Sequence, residues 1–446
     1  MIAKQRLILS IVYLSVFFIF STGFCQDLKS NPPAEFNLPE VIFTTFKNNK
    51  DIQMQEQEIT VASANILEAT SVFLPQVNFK ANYTHNDKVL AQNIFSGYNN
   101  DHLANLTLAE SIYNGGANTA GLKQARLYLE IQRQTLRAKK LDLEFEAKRL
   151  YYGFLLALEN QRIAREALDQ ALAHYESVKQ MYKQGTASRF DLLQSGVQVS
   201  LLEPEVVKTK NEIDSLKADL NKLMSRNVDS LIETKEKLAY LALEIREDEF
   251  LKIAYLDRPE VKLKSLGVDI DKWGIQMAKS GYRPSVDFFA GYSWRSNSLS
   301  NLFNEKQSNW NTGLAVSIPI FEGFSTKAKV DAARARFAQG KISQENLSEQ
   351  IAVDVRKGCL DLQGAQAIIK SQSDNLEESK EALRIAEVSY ANGVAINLDV
   401  LDAQVSLAQI QRNLVSSIYD YLMALAYLDR SMGKPFIKEN NDEKQK

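Results

Sequence analysis

Phe73-Leu74-Pro75-Gln76-Val77-Asn78-Phe79-Lys80-Ala81-Asn82-Tyr83 and Tyr282-Arg283-Pro284-Ser285-Val286-Asp287-Phe288-Phe289-Ala290-Gly291-Tyr292 are two copies of one pattern, with Pro284 falling 209 residues after Pro75. In each copy a proline introduces a run whose alternate residues are apolar. Val77, Phe79, Ala81 and Tyr83 are interleaved with Asn78, Lys80, Asn82 and Thr84, and Val286, Phe288, Ala290, Tyr292 and Trp294 repeat the apolar side. A period of two puts alternate side chains on opposite faces of a strand, so each copy predicts a strand with one dry and one wet face. Further landmarks keep nearly the same spacing. Ile112-Tyr113-Asn114-Gly115 matches Ile320-Phe321-Glu322-Gly323, and Tyr182-Lys183-Gln184-Gly185 followed by Asp191 matches Tyr390-Ala391-Asn392-Gly393 followed by Asp399, each 208 residues on. Upstream, Asp51-Ile52 matches Glu260-Val261. Self-similarity of this kind marks a duplicated chain.

A second alternating run follows in each half. Ala104, Leu106 and Leu108 alternate with Asn105 and Thr107, and Trp310, Thr312, Leu314, Val316 and Ile318 alternate with Asn311, Gly313, Ala315 and Ser317. Runs of about ten residues suit tilted transmembrane β-strands, which hydropathy averages miss because half their side chains face water. The period then changes to that of a helix. Ala117 to Lys183 holds no proline and only Gly121 and Gly153, and Ser325 to Tyr390 holds no proline. The spacing predicts helices over 117–183 and 325–391, each roughly 100 Å long. Leu168, Ala171, Tyr175, Val178 and Tyr182, and in the second half Leu376, Ser379, Leu383, Ala386 and Tyr390, follow the alternating three-and-four spacing of a coiled-coil seam. Gly185 and Gly393 are placed to end the long helices as left-handed caps, with returning helices over 189–225 and 397–432. Pro204 is expected to kink the first of these. The predicted organisation is a first repeat over 26–226 (a helix, a hairpin at 77–112, then the two helices), a linker over 227–250, a second repeat over 251–433 with its hairpin at 285–320, and a polar tail over 434–446.

Composition narrows the function. With 53 basic and 55 acidic residues the net charge is −2, and there are three histidines and two cysteines in 446 residues. That balance argues against nucleic acid as a partner, against a histidine-rich metal site and against a disulfide scaffold. Mean hydropathy is −0.26, which excludes a bundle of apolar transmembrane helices. The start of the chain reads as a secretory signal over 1–25: Lys4 and Arg6, the apolar run Leu7 to Phe20, then Ser21-Thr22-Gly23-Phe24-Cys25-Gln26. Cleavage after Cys25 would leave Gln26 first; the rival, lipidation of Cys25, fits poorly with bulky Phe24 before it. Cys359, then the remaining cysteine, reads as a small apolar core residue.

A helix, a strand hairpin, a very long helix, a glycine turn and a returning helix, duplicated in an exported chain, resemble the TolC-like outer-membrane efflux protein family (outer membrane factors). The resemblance is carried by Leu74-Pro75-Gln76 and Arg283-Pro284-Ser285 opening the strands, Ile320 to Gly323 closing them, and Gly393 to Asp399-Val400-Leu401-Asp402-Ala403-Gln404 at the second helical turn. It implies a mainly α chain with a small β part. Each protomer of a homotrimer would give four strands to a 12-stranded transmembrane β-barrel and its helices to a periplasmic α-barrel. It further implies the outer membrane of a Gram-negative bacterium, and a passive conduit of a tripartite efflux or type I secretion system, docked through a periplasmic adaptor (membrane fusion protein) to an inner-membrane pump. No enzyme activity, cofactor or metal is implied. Physics agrees on one point: four strands cannot close a barrel, and an open edge in lipid leaves peptide groups unsatisfied, so copies must associate. On this reading Val77, Phe79, Tyr83, Val286, Phe288, Tyr292, Trp294 and Trp310 face lipid, and 86–102 and 295–309 are extracellular loops. Tyr83, Tyr292, Trp294 and Trp310 would form an aromatic girdle, or simply pack within the sheet.

The helical turns are then periplasmic tips. Asp399 and Asp402, three apart on roughly one helix face, match acidic positions that ring the family's entrance, six carboxylates per trimer favouring cations. The bland alternative is that they complement the helix dipole, and Ser188 with Asp191 fits a capping box. Some family members carry a basic residue where Val394 and Ala395 stand here, so Arg189 is the alternative source of charge, or an adaptor contact. Tyr390 matches a tyrosine at the entrance but also fills a seam position. Gly185, Thr186, Ala187, Ser188, Arg189 and Asp191, with Gly393, Val394, Ala395, Ile396 and Asn397, make the expected adaptor-docking tips.

An enzyme has little support, since the chain has neither a Gly-x-x-x-x-Gly-Lys-Ser/Thr run nor a His-Glu-x-x-His pair. His85, His102 and His174 read as scattered polar surface residues, and adjacent Glu377 and Glu378 as solvated helix surface. The runner-up, an exported coiled-coil adaptor or scaffold, explains the seam but not the duplicated hairpins.

Overall fold

The computed structural model describes residues 34–86 and 99–435. The expected signal segment with Cys25, loop residues 87–98 and the tail beyond 435 lie outside the described residues. In chain order the elements are β1 (Ala34–Glu35), α1 (Leu38–Asn48), α2 (Lys50–Ser71), β2 (Gln76–His85), β3 (Asn100–Asn114), α3 (Ala117–Lys183), α4 (Arg189–Leu223), β4 (Ile232–Glu233), α5 (Glu247–Asp257), α6 (Pro259–Lys279), β5 (Ser285–Ser296), β6 (Ser308–Ser317), α7 (Ser325–Ala391) and α8 (Asn397–Met432).

The helix expected before each hairpin is in fact two helices. Asn49 ends α1 and starts α2, its Oδ1 accepting from the Asp51 N–H at 2.8 Å. Arg258 holds the matching place in the second half, where Pro259 takes the first helical position and needs no N–H partner. Glu247, Asp248 and Glu249 open α5 four residues earlier than the expected repeat boundary, negative charge suiting a helix N-terminus. Strand β6 stops at Ser317, short of the expected 320, because Pro319 cannot extend the ladder. Helix α4 continues through Pro204.

The four long strands form one antiparallel sheet in the order β2-β3-β5-β6. The long helices α3 and α7 are 67 residues each. Helix α3 packs against α4, α6 and α8, and α7 against α8, α6 and α5, so the halves interlock. Two apolar cores hold the middle of the helices. One gathers Val41, Tyr151, Phe154, Ile213, Leu220 and Met224; the other gathers Phe250, Ile351, Cys359, Leu362, Tyr421 and Leu428. Burying side chains of this size contributes about 1.5–3 kcal/mol each. The linker runs across these cores: Tyr421 donates to the Leu241 carbonyl at 2.6 Å, Gln366 to the Leu243 carbonyl at 3.0 Å, and β4 pairs with β1. The two halves are also joined by the Lys148 ammonium, 2.9 Å from Asp429 and 3.0 Å from Glu144. Burial opposes that charge, but the two carboxylates hold Lys148 above its ordinary range.

Candidate functional site

The helical tips are built by two matching turns. At the first, Gly185 takes φ +77°, the Thr186 N–H reaches back to the Met181 carbonyl at 2.9 Å, and the Gly185 N–H to Tyr182 at 3.0 Å. At the second, Gly393 takes φ +73°, Val394 bonds back to Ser389 at 2.9 Å and Gly393 to Tyr390 at 3.0 Å. These are Schellman-type ends, which need a residue free to adopt a left-handed backbone.

The acidic residues divide by role. Asp191 completes a capping box, its N–H donating to Ser188 Oγ at 3.1 Å and its carboxylate accepting from the Ser188 N–H at 3.0 Å. Asp399 does half of this, accepting from the Ile396 N–H at 3.0 Å; Ile396 has no side-chain acceptor to return the bond. Asp402, one turn on, is exposed and makes no hydrogen bond or ion pair among the described residues. Of the expected carboxylate pair, one is thus partly committed to holding a helix start.

Tyr390 is buried in a tip cluster with Val178, Leu383, Val400 and Leu407. Its hydroxyl has no hydrogen-bond partner among the described residues, and burial, then the nearby charge of Asp191, push it above its ordinary range. Two expectations are corrected here. His174 is not a surface residue: it is buried, its ring centroid 5.4 Å from that of Tyr390 and its Nε2 2.7 Å from Asn397 Oδ1. Asn397 is not part of an exposed docking tip. It is 2% exposed and donates to Gln194 Oε1 at 3.0 Å, clipping α8 to α3 and α4. Arg189, its counterpart 208 residues earlier, is exposed, so the duplication is broken at this position and periodicity cannot announce it.

Of the other tip residues, Gly185, Thr186, Ser188, Arg189, Gly393, Val394 and Ile396 are exposed, Asp191 is half-buried, and Ala187 and Ala395 pack partly against the tip cluster. Sequence reasoning missed Phe190, Leu193, Val197 and Leu201, an exposed apolar stripe along α4. Its three-four-four spacing was present in the sequence as the signal of one helix face.

The sheet at the other end has a single apolar face. Its register sets Phe79, Leu106, Tyr292 and Trp310 opposite one another across four strands, and Val77, Leu108, Ala290 and Thr312 on the next rung, with Glu110 beside Phe288 the charged exception on this face. Val77, Phe79, Tyr83 and Trp310 on the edge strands are exposed, whereas Val286, Phe288, Tyr292 and Trp294 on β5 are half-covered by their neighbours. The Trp294 ring lies tilted against Tyr292, centroids 4.5 Å apart, and meets Phe303 edge-on at 5.5 Å. The opposite face carries Lys80, Asn105, Ser293 and Asn309 on one rung, and Arg295 pairs with Asp101 at 2.7 Å.

An amphipathic four-stranded sheet on duplicated helices of this length is the architecture of an outer-membrane channel with a long helical extension. The chain belongs to the outer membrane efflux protein family, whose model matches residues 42–226 and 252–434. It is 20% identical to the outer membrane protein TolC of Vibrio cholerae over 89% of this chain and 90% of that one. It is also 20% identical to the alkaline protease secretion protein AprF of Pseudomonas aeruginosa over 66% of this chain, spanning 62% of AprF. Among solved structures it superposes on CusC with a TM-score of 0.79 at 20% identity, covering 92% of this chain and 96% of that one. The protein is thus an outer-membrane efflux channel.

Proposed function

We propose that three copies close into a 12-stranded barrel continued by a helical barrel, a passive path from periplasm to exterior that is shut at the tips and opened by an adaptor bound to an inner-membrane pump. The observation that carries this is the four-stranded sheet, mostly apolar along one face and unpaired at both edges among the described residues, on two 67-residue helices. An unpaired edge in lipid costs several kcal/mol for each unsatisfied peptide group, and closure with further copies removes it. Val77, Phe79, Tyr83, Val286, Phe288, Tyr292, Trp294 and Trp310 then meet lipid. At the entrance Asp402 is the free carboxylate of the selectivity ring and Asp399 contributes while holding its helix. Tyr390, with His174 and Asn397, keeps the tip closed. The adaptor takes the exposed tip: Gly185, Thr186, Ser188, Arg189, Gly393, Val394 and Ile396, with Phe190 added. The test is fractionation followed by gel mobility with and without heating. A heat-dissociable trimer in the outer membrane is expected; a soluble periplasmic monomer rejects the proposal.

A further inference from the structure

The duplication fixes more than the fold. Strand β2 corresponds to β5 at a spacing of 209 and β3 to β6 at 208, and in the sheet order β2-β3-β5-β6 the pairing of β3 with β5 joins the two halves. Its counterpart, β6 with β2, cannot form within one chain because these are the two edges. A second copy supplies it.

We propose that β6 of one copy pairs with β2 of the next in the register obtained by carrying the observed β3–β5 register across the duplication. This rests on the oligomeric reading above and adds the register. The observed pair Leu106 and Tyr292 becomes Leu314 with the partner's Tyr83; Leu108 and Ala290 becomes Val316 with the partner's Ala81; Tyr113 and Val286 becomes Phe321 with the partner's Val77. Each pair keeps apolar residues together on the dry face. A slip of one residue would set Leu314 against Asn82 and turn the whole edge over.

Three observations favour this register over a slip of two, which preserves the faces. First, the β3–β5 ladder shifts between Ser111 and Tyr113. Carried across, the irregularity falls at Pro319, and bulges are among the few places where a sheet accepts proline. Second, β3 runs to Asn114 but β6 ends at Ser317, leaving Ile320 and Phe321 96% and 75% exposed. The stretch from 318 to 322 matches the paired end of β3 and lacks only its partner. Third, the junction below the strands is specific. Gly116 (φ +91°) lies beside Arg283, which donates to the Gly115 carbonyl at 3.1 Å. The place of Gly116 is taken by Phe324, held at φ +65° and 71% exposed, and that of Arg283 by Leu74, 57% exposed. A bulky residue with positive φ is a genuine outlier and persists where its surroundings require it. Within the chain the junction is fastened by a hydrogen bond; between copies it is fastened by Phe324 against the partner's Leu74.

Directly opposed strand residues have Cα atoms about 4.5–5.5 Å apart, within disulfide range, while diagonal neighbours are about 7–8 Å apart. The test is oxidation of the full-length protein in membranes. Leu314→Cys/Tyr83→Cys and Val316→Cys/Ala81→Cys are compared with the slipped pair Leu314→Cys/Ala81→Cys, with Leu106→Cys/Tyr292→Cys reporting that the sheet has formed within the chain. The in-register pairs are expected to give about tenfold more covalent dimer and trimer than the slipped pair. Stronger cross-linking of the slipped pair overturns the register and leaves the oligomer standing. No intermolecular product from any pair, with the internal pair oxidised and the particle monomeric, overturns the oligomeric reading as well.

Discussion

Asp399 and Asp402 stand three residues apart and are chemically alike, yet their surroundings give them different work. Asp399→Ala removes the acceptor of the Ile396 N–H and is expected to cost about 0.5–2 kcal/mol in thermal unfolding, as loss of a helix cap does. Asp402→Ala touches no bond and is expected to stay within about 0.5 kcal/mol of the parent, while causing the larger loss of cation selectivity in reversal-potential measurements. Asn397→Ala strands His174 and Gln194 without their buried partner and is expected to cost about 1–3 kcal/mol, with faster hydrogen exchange confined to the tip. Cys359 behaves as an isolated helical cysteine should: it is buried, and burial pushes its thiol up to about 11. The folded state therefore keeps a proton that the unfolded chain releases at lower pH. Its contribution is full below the ordinary thiol range and is lost as pH rises through about 11. Thiol reagents at pH 8 are expected to label Cys359 only in denaturant. At this scale the sequence was legible where the partner is local, as for Ser188 and Asp191, and silent where it is distant. Asn397 meets a histidine 223 residues away, and no spacing rule reaches that far.

Turns and helix ends were the most legible elements because their chemistry is local: a glycine after a long proline-free run ends a helix. Gly185→Ala and Gly393→Ala are each expected to cost about 1–2 kcal/mol, since both sit at positive φ with open space around them and only backbone strain is added. Gly433, which ends α8 at φ +78°, should cost more. A Cβ there would lie 2.8 Å from the Asp257 carbonyl oxygen and from Arg258 Cα, so Gly433→Ala adds a clash with the α5–α6 corner, and thermal unfolding of the three variants is expected to rank it the most destabilised. That corner was not legible. The sequence repeats it at Asn49 and Arg258, but the break appears only once each helix turns to follow the long helices it packs on. The apolar stripe on α4, Phe190, Leu193, Val197 and Leu201, was legible in principle and stays exposed.

For the whole molecule, duplication made the fold class readable from one sequence, because two imperfect copies filter out features that either would show by accident. Near-neutral charge and a mean hydropathy of −0.26 follow from the architecture: most of the mass is water-exposed helix, and only alternate residues of four strands are apolar. Among the described residues the sheet has two open edges and one dry face, and what completes it decides the function. The most direct test is to purify the protein from the outer membrane and add it to a planar lipid bilayer. Discrete, cation-selective single-channel steps from a particle with the mass of three copies are expected. A particle with the mass of one copy that gives no steps at any voltage would contradict a trimeric channel.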